Sequence, residues 1–123
     1  MERTFFTLGA LLAGLAVAAG AFGAHALRDR VAPDMLAIFE TGARYQMYHA
    51  LAIGLAAISL RDRFATLACM LFAAGIVLFS GSLYLLALTG IPIFGLVVPA
   101  GGANLLVGWI ALAYSALRKG STP

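Results

Sequence analysis

The sequence predicts an all-α integral membrane protein, a bundle of four transmembrane helices joined by short loops. Three observations lead to this prediction: a high apolar content, few charges, and apolar runs long enough to cross a lipid bilayer. Of the 123 residues, 63% are hydrophobic and 11% are charged, and the mean hydropathy is +0.99. Soluble domains average about 45–50% apolar and about 25% charged residues, so this chain lacks the polar surface that a water-soluble fold requires.

Four apolar runs are separated by charged or turn-forming residues. Residues 1–123 are interpreted as one transmembrane domain with spans at residues 4–27, 45–60, 64–88 and 99–117, the last opening at Pro99. A helix rises about 1.5 Å per residue, so about 20 apolar residues cross a hydrocarbon core. A secretory signal peptide is the alternative for the first run, but that run exceeds the apolar core of about 7–15 residues that such signals have.

A short amphipathic segment, residues 34–44, precedes the second span. Pro33 and Asp34 favour a helix start, because proline fits the first helical turn and an early carboxylate suits the positive helix end. The segment is predicted to lie at the membrane interface or to form the projecting first turns of the second span.

Positive residues near the spans predict the topology. One side of the membrane would hold Arg3, Arg61, Arg63, Arg118 and Lys119, and the other Arg28, Arg30 and Arg44. Both termini are therefore predicted to be cytoplasmic, with the protein in the cell (inner) membrane. Since the charges sit at the ends of apolar runs, where they fit lipid headgroups, the expected partners are membrane lipids, and no nucleic acid is expected despite a pI near 9.5.

The second span carries the densest polar cluster. Its candidate network residues are Glu40, Arg44, Tyr45, Gln46, Tyr48 and His49. Glu40 precedes Arg44 by four residues, an order that predicts a helical ion pair. One interpretation is an interface belt, with tyrosines at headgroup level and a snorkelling arginine. The other is a buried network or binding site around His49, since polar groups inside a membrane usually face protein or water.

The remaining candidate network residues are His25 in the first span, Ser80, Ser82 and Tyr84 in the third, and Asn104 in the fourth. The hairpin connectivity predicts that His25, His49 and Ser80 or Tyr84 converge between the first three helices. The amide of Asn104 is expected to bond to the second or third span, or to another subunit.

Small residues predict helix packing. Ala10, Gly14 and Ala18 recur every four residues, and such a stripe lets helix backbones approach closely. The stripe is predicted to pack within one chain or between copies, so a homo-oligomer is one expected assembly. Gly81 is predicted to be a further helix contact, and Gly101 with Gly102 a tight turn or a close contact.

Motifs that carry chemistry are sparse. His25 and His49 could ligate a haem or a metal or relay protons, but no Cys or acidic residue has suitable spacing with them, so no metal and no cofactor are expected. Cys69 has no partner for an internal disulfide. The sequence contains no Ser-His-Asp set, HExxH, phosphate loop or paired catalytic carboxylates, and no enzyme is predicted.

Four sequence blocks carry a family resemblance. They are GAFGAHAL at residues 20–27, YQMYHA at 45–50, LFSGSLY at 78–84, and PAGG at 99–102 followed by Gly108 and Trp109. The blocks resemble the small uncharacterised membrane family of bacterial YgdD and YwdK, which includes eukaryotic transmembrane protein 256. The resemblance implies a four-helix membrane protein of about this length, with no activity to carry over. All the candidate network residues in these blocks match the family pattern, whereas Asn104 does not.

Three functional hypotheses remain open. The first is a non-enzymatic structural, lipid-interacting or oligomerising membrane component. The alternative is a small channel or transporter lined by the polar cluster of the second helix. The third is a haem- or redox-associated membrane subunit built on His25 and His49.

Overall fold

The computed structural model describes residues 2–59 and 61–120 as four helices. They are α1 (Glu2–Leu27), α2 (Pro33–Ser59), α3 (Arg63–Thr89) and α4 (Ile93–Gly120). The predicted all-α, four-helix architecture is confirmed. Three of the helices, α1, α3 and α4, are long and apolar enough to cross a membrane by length and composition.

The helix α2 differs from the other three in composition. It has 27 residues, but polar side chains such as Arg44, Gln46 and His49 lower its hydropathy. It also contributes buried residues along most of its length, from Phe39 to Ala57, and these include the polar side chains of Gln46 and His49, whereas Arg44 is exposed. The assignment of residues 45–60 as the second span stays a prediction, and Leu60 lies outside the described residues.

The amphipathic segment at residues 34–44 belongs to α2. The helix begins at Pro33, as predicted, and continues without a break to Ser59. Of the two alternatives left open by the sequence, the segment therefore forms the first turns of the second helix.

The helix α4 begins six residues before the predicted start at Pro99. Its first turn forms when the N–H of Gly95 donates to the carbonyl of Pro92, at 3.0 Å. A proline inside a helix loses one hydrogen bond and crowds the carbonyl four residues earlier, and transmembrane helices tolerate this when their neighbours compensate. The prediction was wrong because it treated proline as a helix start and the uncharged connector before it as a turn.

Sequential helices pack side by side: α1 on α2, α2 on α3, and α3 on α4. Glycine permits the closest approaches. A Cβ added at Gly9 would lie 2.8 Å from the carbonyl oxygen of Ala50 on α2. A Cβ at Gly101 would overlap the backbone of Phe79, within a π-helical turn of α3 (Ile76–Ser80). The predicted close contact at Gly101 is therefore confirmed.

The predicted packing stripe faces out of the chain. Ala10, Gly14 and Ala18 are exposed, and a Cβ at Gly14 or at Gly81 would meet nothing within 4 Å. Packing of this stripe inside one chain was therefore a wrong prediction, as was the helix contact at Gly81. Because α1 turns its Gly9 and Ala16 face toward α2, the stripe lies on an adjacent face. Its packing between copies of the chain stays a prediction.

Candidate functional site

Gln46 joins three helices through its side-chain amide. Its Nε2 donates to the carbonyl oxygen of Leu12 on α1 at 2.8 Å, and its Oε1 accepts from the hydroxyl of Tyr84 on α3 at 2.7 Å. The residue is buried, so both bonds lie away from solvent. A buried amide bonded at both ends holds α1, α2 and α3 in one arrangement.

A second buried bond links α2 and α3 one turn earlier along α2. The hydroxyl of Ser80 donates to the carbonyl oxygen of Gly42 at 2.7 Å, and Ser80 is 1% exposed. A Cβ at Gly42 would lie 2.9 Å from the ring of Tyr84, so the glycine makes room for the α3 side chains. Ser82 is also buried.

His49 is held by hydrogen bonds at both ring nitrogens. The indole Nε1–H of Trp109 on α4 donates to His49 Nε2 at 3.0 Å, so Nε2 acts as the acceptor. The proton therefore belongs on Nδ1, which lies 2.7 Å from the carbonyl oxygen of Tyr45 and donates to it. The arrangement selects one neutral tautomer and leaves neither nitrogen free for a ligand.

Aromatic rings surround this histidine. The ring centroids of His49 and Phe72 are 5.5 Å apart, those of Phe72 and Trp109 4.9 Å, and those of Tyr45 and Phe79 5.0 Å. Aromatic pairs at these separations contribute about 0.5–1.5 kcal/mol beyond their buried area. Together these rings form an aromatic wall that connects α2, α3 and α4.

An open groove lies between α2 and α4, and part of the aromatic wall lines it. It has a volume of about 700 Å³ and is lined mainly by aromatic and aliphatic side chains. The lining residues are Tyr45, Tyr48, His49, Phe79, Pro99, Gly102, Ala103, Leu105, Leu106 and Trp109. We call this feature the α2–α4 groove. Beyond Trp109 a second cavity of about 410 Å³ continues between the same two helices toward Ser59.

The two histidines do not share a site. His25 is exposed in a π-helical turn at the end of α1 (Gly23–Leu27), whereas His49 is buried against Trp109. The predicted convergence of His25, His49 and Ser80 or Tyr84 was wrong, because α2 turns Gln46, rather than His49, toward Tyr84. Within residues 2–59 and 61–120, no three His, Cys, Asp or Glu side chains come together as metal ligands would.

The predicted ion pair between Glu40 and Arg44 does not form. Both residues are exposed, and an ion pair forms elsewhere, between Arg61 Nε and Glu2 Oε1 at 3.2 Å. Exposed pairs gain little over hydration, so their spacing alone does not hold them together.

The polar cluster of α2 divides between the two interpretations. Tyr45 and Tyr48 are partly exposed, as the interface-belt interpretation requires, while Gln46 and His49 match the buried-network interpretation.

Asn104 is half-buried on α4. Its side-chain amide forms no hydrogen bond with the residues that the structure describes. The expected bond to the second or third span is thus missing from the described part of the chain. A partner in another copy of the chain stays a prediction.

Sequence reasoning did not select two residues of α4 that bond it to the rest of the bundle, Trp109 at the site and Ser115 near the start of α3. The sequence analysis named Trp109 only within a family block. Because it is the one tryptophan of the chain and lies in an apolar span, it could have been selected as a candidate hydrogen-bond donor. Ser115, fully buried on α4, donates its hydroxyl to Asp62 Oδ1 at 2.7 Å. The same oxygen accepts from the N–H of Ala65 at 2.8 Å and caps α3. The Ser115 bond and then this cap hold the pKa of Asp62 below its ordinary value.

Comparison with known proteins places the chain in a family. A family model described as "Protein of unknown function (DUF423)" matches residues 19–102. The UPF0382 membrane protein YwdK of Bacillus subtilis is 43% identical over 121 residues, covering 94% of this chain and 98% of the relative. The UPF0382 inner membrane protein YgdD of Escherichia coli is 37% identical over 122 residues, covering 96% and 93%. No solved structure matches. The chain therefore belongs to the DUF423 family of membrane proteins, as the resemblance of its four sequence blocks implied.

Proposed function

We propose that this protein is a non-enzymatic membrane component that binds an apolar, lipid-like molecule in the α2–α4 groove. The observation that carries the proposal is the groove itself, about 700 Å³ in volume and open between two helices. Ligand sites in proteins have volumes of about 300–1,000 Å³ and are mostly apolar. Lipid-like molecules are the apolar ligands that are abundant around a membrane protein.

The state of the polar side chains supports binding rather than catalysis. His49 uses both ring nitrogens inside the chain, and the hydroxyls of Ser80 and Tyr84 donate to Gly42 and Gln46. A general base or nucleophile needs a free atom directed at a substrate. Of these three residues only His49 lines the groove, and it offers no free ring nitrogen to a substrate.

A channel or transporter is the competing function, since the polar groups lie along α2. The bonds of Gln46 oppose it, because they tie the three helices together rather than line an open path. Solute flux in liposomes would favour the channel. A visible haem band in the purified protein would favour a redox subunit.

The protein is further proposed to reside in the cell membrane with both termini cytoplasmic. The name of the Escherichia coli relative, an inner membrane protein, supports the location, and the distribution of positive residues supports the orientation. A cysteine placed at Lys119 should stay unlabelled by an impermeant reagent added outside intact cells. Strong labelling would reverse the orientation.

Trp109 supplies the assay for the groove, because it is the one tryptophan of the chain and lines the groove. A phosphatidylcholine brominated on its acyl chains is titrated into the protein in detergent, and fluorescence quenching is followed. Saturable quenching is expected. The variant Gly102→Leu fills the groove and should raise the quenching midpoint about tenfold, a change worth about 1.4 kcal/mol. A Cβ at Gly102 meets Phe79 at an ordinary 3.7 Å, so the fold should tolerate the change.

Leu96→Phe is the matched control. Leu96 lies on the same helix, is 74% exposed, and is not among the groove residues. Its substitution should leave the midpoint unchanged. Quenching that is linear and equal in all three proteins would mean that the groove holds no defined ligand.

A further inference from the structure

A different groove follows the seam between α1 and α2. A cavity of about 490 Å³ opens near the start of α1 between Arg3 and Arg61. A second cavity of about 410 Å³ lies deeper, over Gly9 and Gly54. Both cavities are lined by Phe6 and Ile58, so they adjoin and form one track. We call this track the α1–α2 seam.

The deep part of the α1–α2 seam is apolar and shallow. Its floor is formed where Gly9 meets the α2 backbone at Ala50. A Cβ at Gly54 would meet one atom of Phe6 at 4.0 Å, so space remains above this glycine. Phe6 and Ile58 are largely exposed and form the two rims. A flexible hydrocarbon chain fits such a track.

The mouth of the α1–α2 seam is cationic. Arg3 is exposed and has no counterion among the described residues, while Arg61 uses its Nε for Glu2. An arginine guanidinium has five N–H donors, so most of those of Arg61 remain for another acceptor. Two arginines against one glutamate leave a net positive charge at the mouth.

The length of the seam matches one lipid leaflet. Arg3 at the mouth and Ala13 in the deep cavity are ten residues apart on α1. At about 1.5 Å per residue this is about 15 Å, half of a hydrocarbon core of about 30 Å. A headgroup at Arg3 would therefore place its acyl chain along the seam to the middle of the bilayer.

We propose that the α1–α2 seam is a binding site for an anionic phospholipid. Its phosphate would accept hydrogen bonds from Arg3 and Arg61, since guanidinium groups match phosphate geometry. One acyl chain would lie over Gly9 and Gly54, between Phe6 and Ile58. This site goes beyond the α2–α4 groove, because it uses other helices and selects its ligand by headgroup charge.

The test compares lipids by headgroup charge. Delipidated protein in detergent is titrated with phosphatidylglycerol, with phosphatidylcholine and with inorganic phosphate, and bound lipid is counted by native mass spectrometry while the melting temperature is followed. Phosphatidylglycerol should bind at least about tenfold more tightly than phosphatidylcholine, because the choline cation neutralises the headgroup of the latter and is repelled by the two arginines. Inorganic phosphate should leave the melting temperature unchanged. Equal affinity for both lipids, or a shift caused by phosphate alone, would overturn the proposal.

Variants assign this preference to the seam. The double variant Arg3→Gln, Arg61→Gln should lose the preference for phosphatidylglycerol and keep its fold, because the Arg61 ion pair is exposed. The matched control Arg28→Gln, Arg30→Gln removes two exposed arginines beyond the other end of α1 and should keep the preference. A preference that survives the first variant, or disappears in the control, would refute the seam as the site.

Two further measurements, of lipid preference and of Trp109 quenching, distinguish this site from the α2–α4 groove. Gly102→Leu should leave the phosphatidylglycerol preference intact, and the Arg3 and Arg61 variant should leave the quenching of Trp109 intact. If the preference changed with Gly102→Leu instead, the anionic lipid would occupy the α2–α4 groove and the seam proposal would be wrong.

Discussion

The two sides of α2 differ in how they meet their neighbours. Toward α1 and α3, the closed side, the helices touch beneath the α1–α2 seam: Gly9 meets the backbone at Ala50, and the amide of Gln46 bonds to both helices. Toward α4 the contact is open, and the bond from Trp109 to His49 crosses a groove. Helices in lipid associate through close packing and interhelical hydrogen bonds, because lipid supplies no hydrophobic drive. On the closed side both kinds of contact hold the helices together, whereas toward α4 the hydrogen bond acts without close packing and the α2–α4 groove stays open.

An added side chain on the closed side should lower the free energy of unfolding more than any other change considered. Gly9→Leu places a side chain against the α2 backbone, which cannot move aside as a side chain can. We expect a loss of about 3 kcal/mol in the free energy of unfolding, measured by denaturation in mixed micelles. Gly14→Leu on the same helix is the control, since a Cβ there meets nothing within 4 Å. Equal losses in both variants would mean that α1 does not pack through Gly9.

The buried amide on the closed side should rank second. Gln46→Leu removes the acceptor of the partly buried Tyr84 hydroxyl, which is left without its partner, and the second donor to the Leu12 carbonyl, which keeps its bond within α1. The expected cost is about 2 kcal/mol in the same assay. Tyr48→Leu is the control, because Tyr48 is 50% exposed and lies two residues away on another face of the same helix. A cost for Gln46→Leu no larger than that of the control would place Gln46 outside the core.

The bond across the open side should contribute less. Trp109→Phe keeps an aromatic ring in the wall but removes the donor to His49, at an expected cost of about 1 kcal/mol. His49→Ala should also lower the unfolding temperature in detergent. A double-mutant cycle should return a coupling of about 0.6–1.7 kcal/mol between the two residues. Additive effects would show that the two helices are not joined there.

The smallest expected effect concerns the attachment of α4 to the turn after α2. Because the pKa of Asp62 is lowered in the folded state, its contribution to stability is present above its ordinary value of 3.8 and is lost as pH falls through the folded-state value. Ser115→Ala removes the main cause of the shift. At pH 7 it should cost about 0.5–1 kcal/mol, and the difference from the parent should shrink as the pH falls below the ordinary pKa of Asp62 and through its folded-state pKa.

Asp62→Asn is the companion variant for that attachment, and its stability should vary less between pH 7 and pH 3 than that of the parent. Unfolding curves at the two pH values provide the measurement. A penalty for Ser115→Ala that stays constant across this range would mean that the bond does not depend on the charge of Asp62.

The length of the apolar runs and the amino-acid composition were enough to predict the helices. Apolar runs, the break before Pro33 and the charged turn at residues 61–63 predicted four helices in the right order, because membrane-spanning backbone must satisfy its own hydrogen bonds. The polar cluster on α2 was also visible, since polar residues are rare in such runs. Pro99 was misread because a proline in a membrane helix is compatible with either a start or an interior position.

The chain by itself therefore determined the membrane as its solvent, the four helices and the residues with polar chemistry. Only the tertiary structure decided which of these residues meet. Successive residues of a helix are rotated by about 100°, so Gly9 and Ala10 lie on different faces of α1. Both faces carry small residues, and the sequence does not show that the face of Gly9 packs while that of Ala10 is exposed. The pairing of His49 with Trp109, and the exposure of His25, likewise depend on how far each helix is turned and shifted against the next.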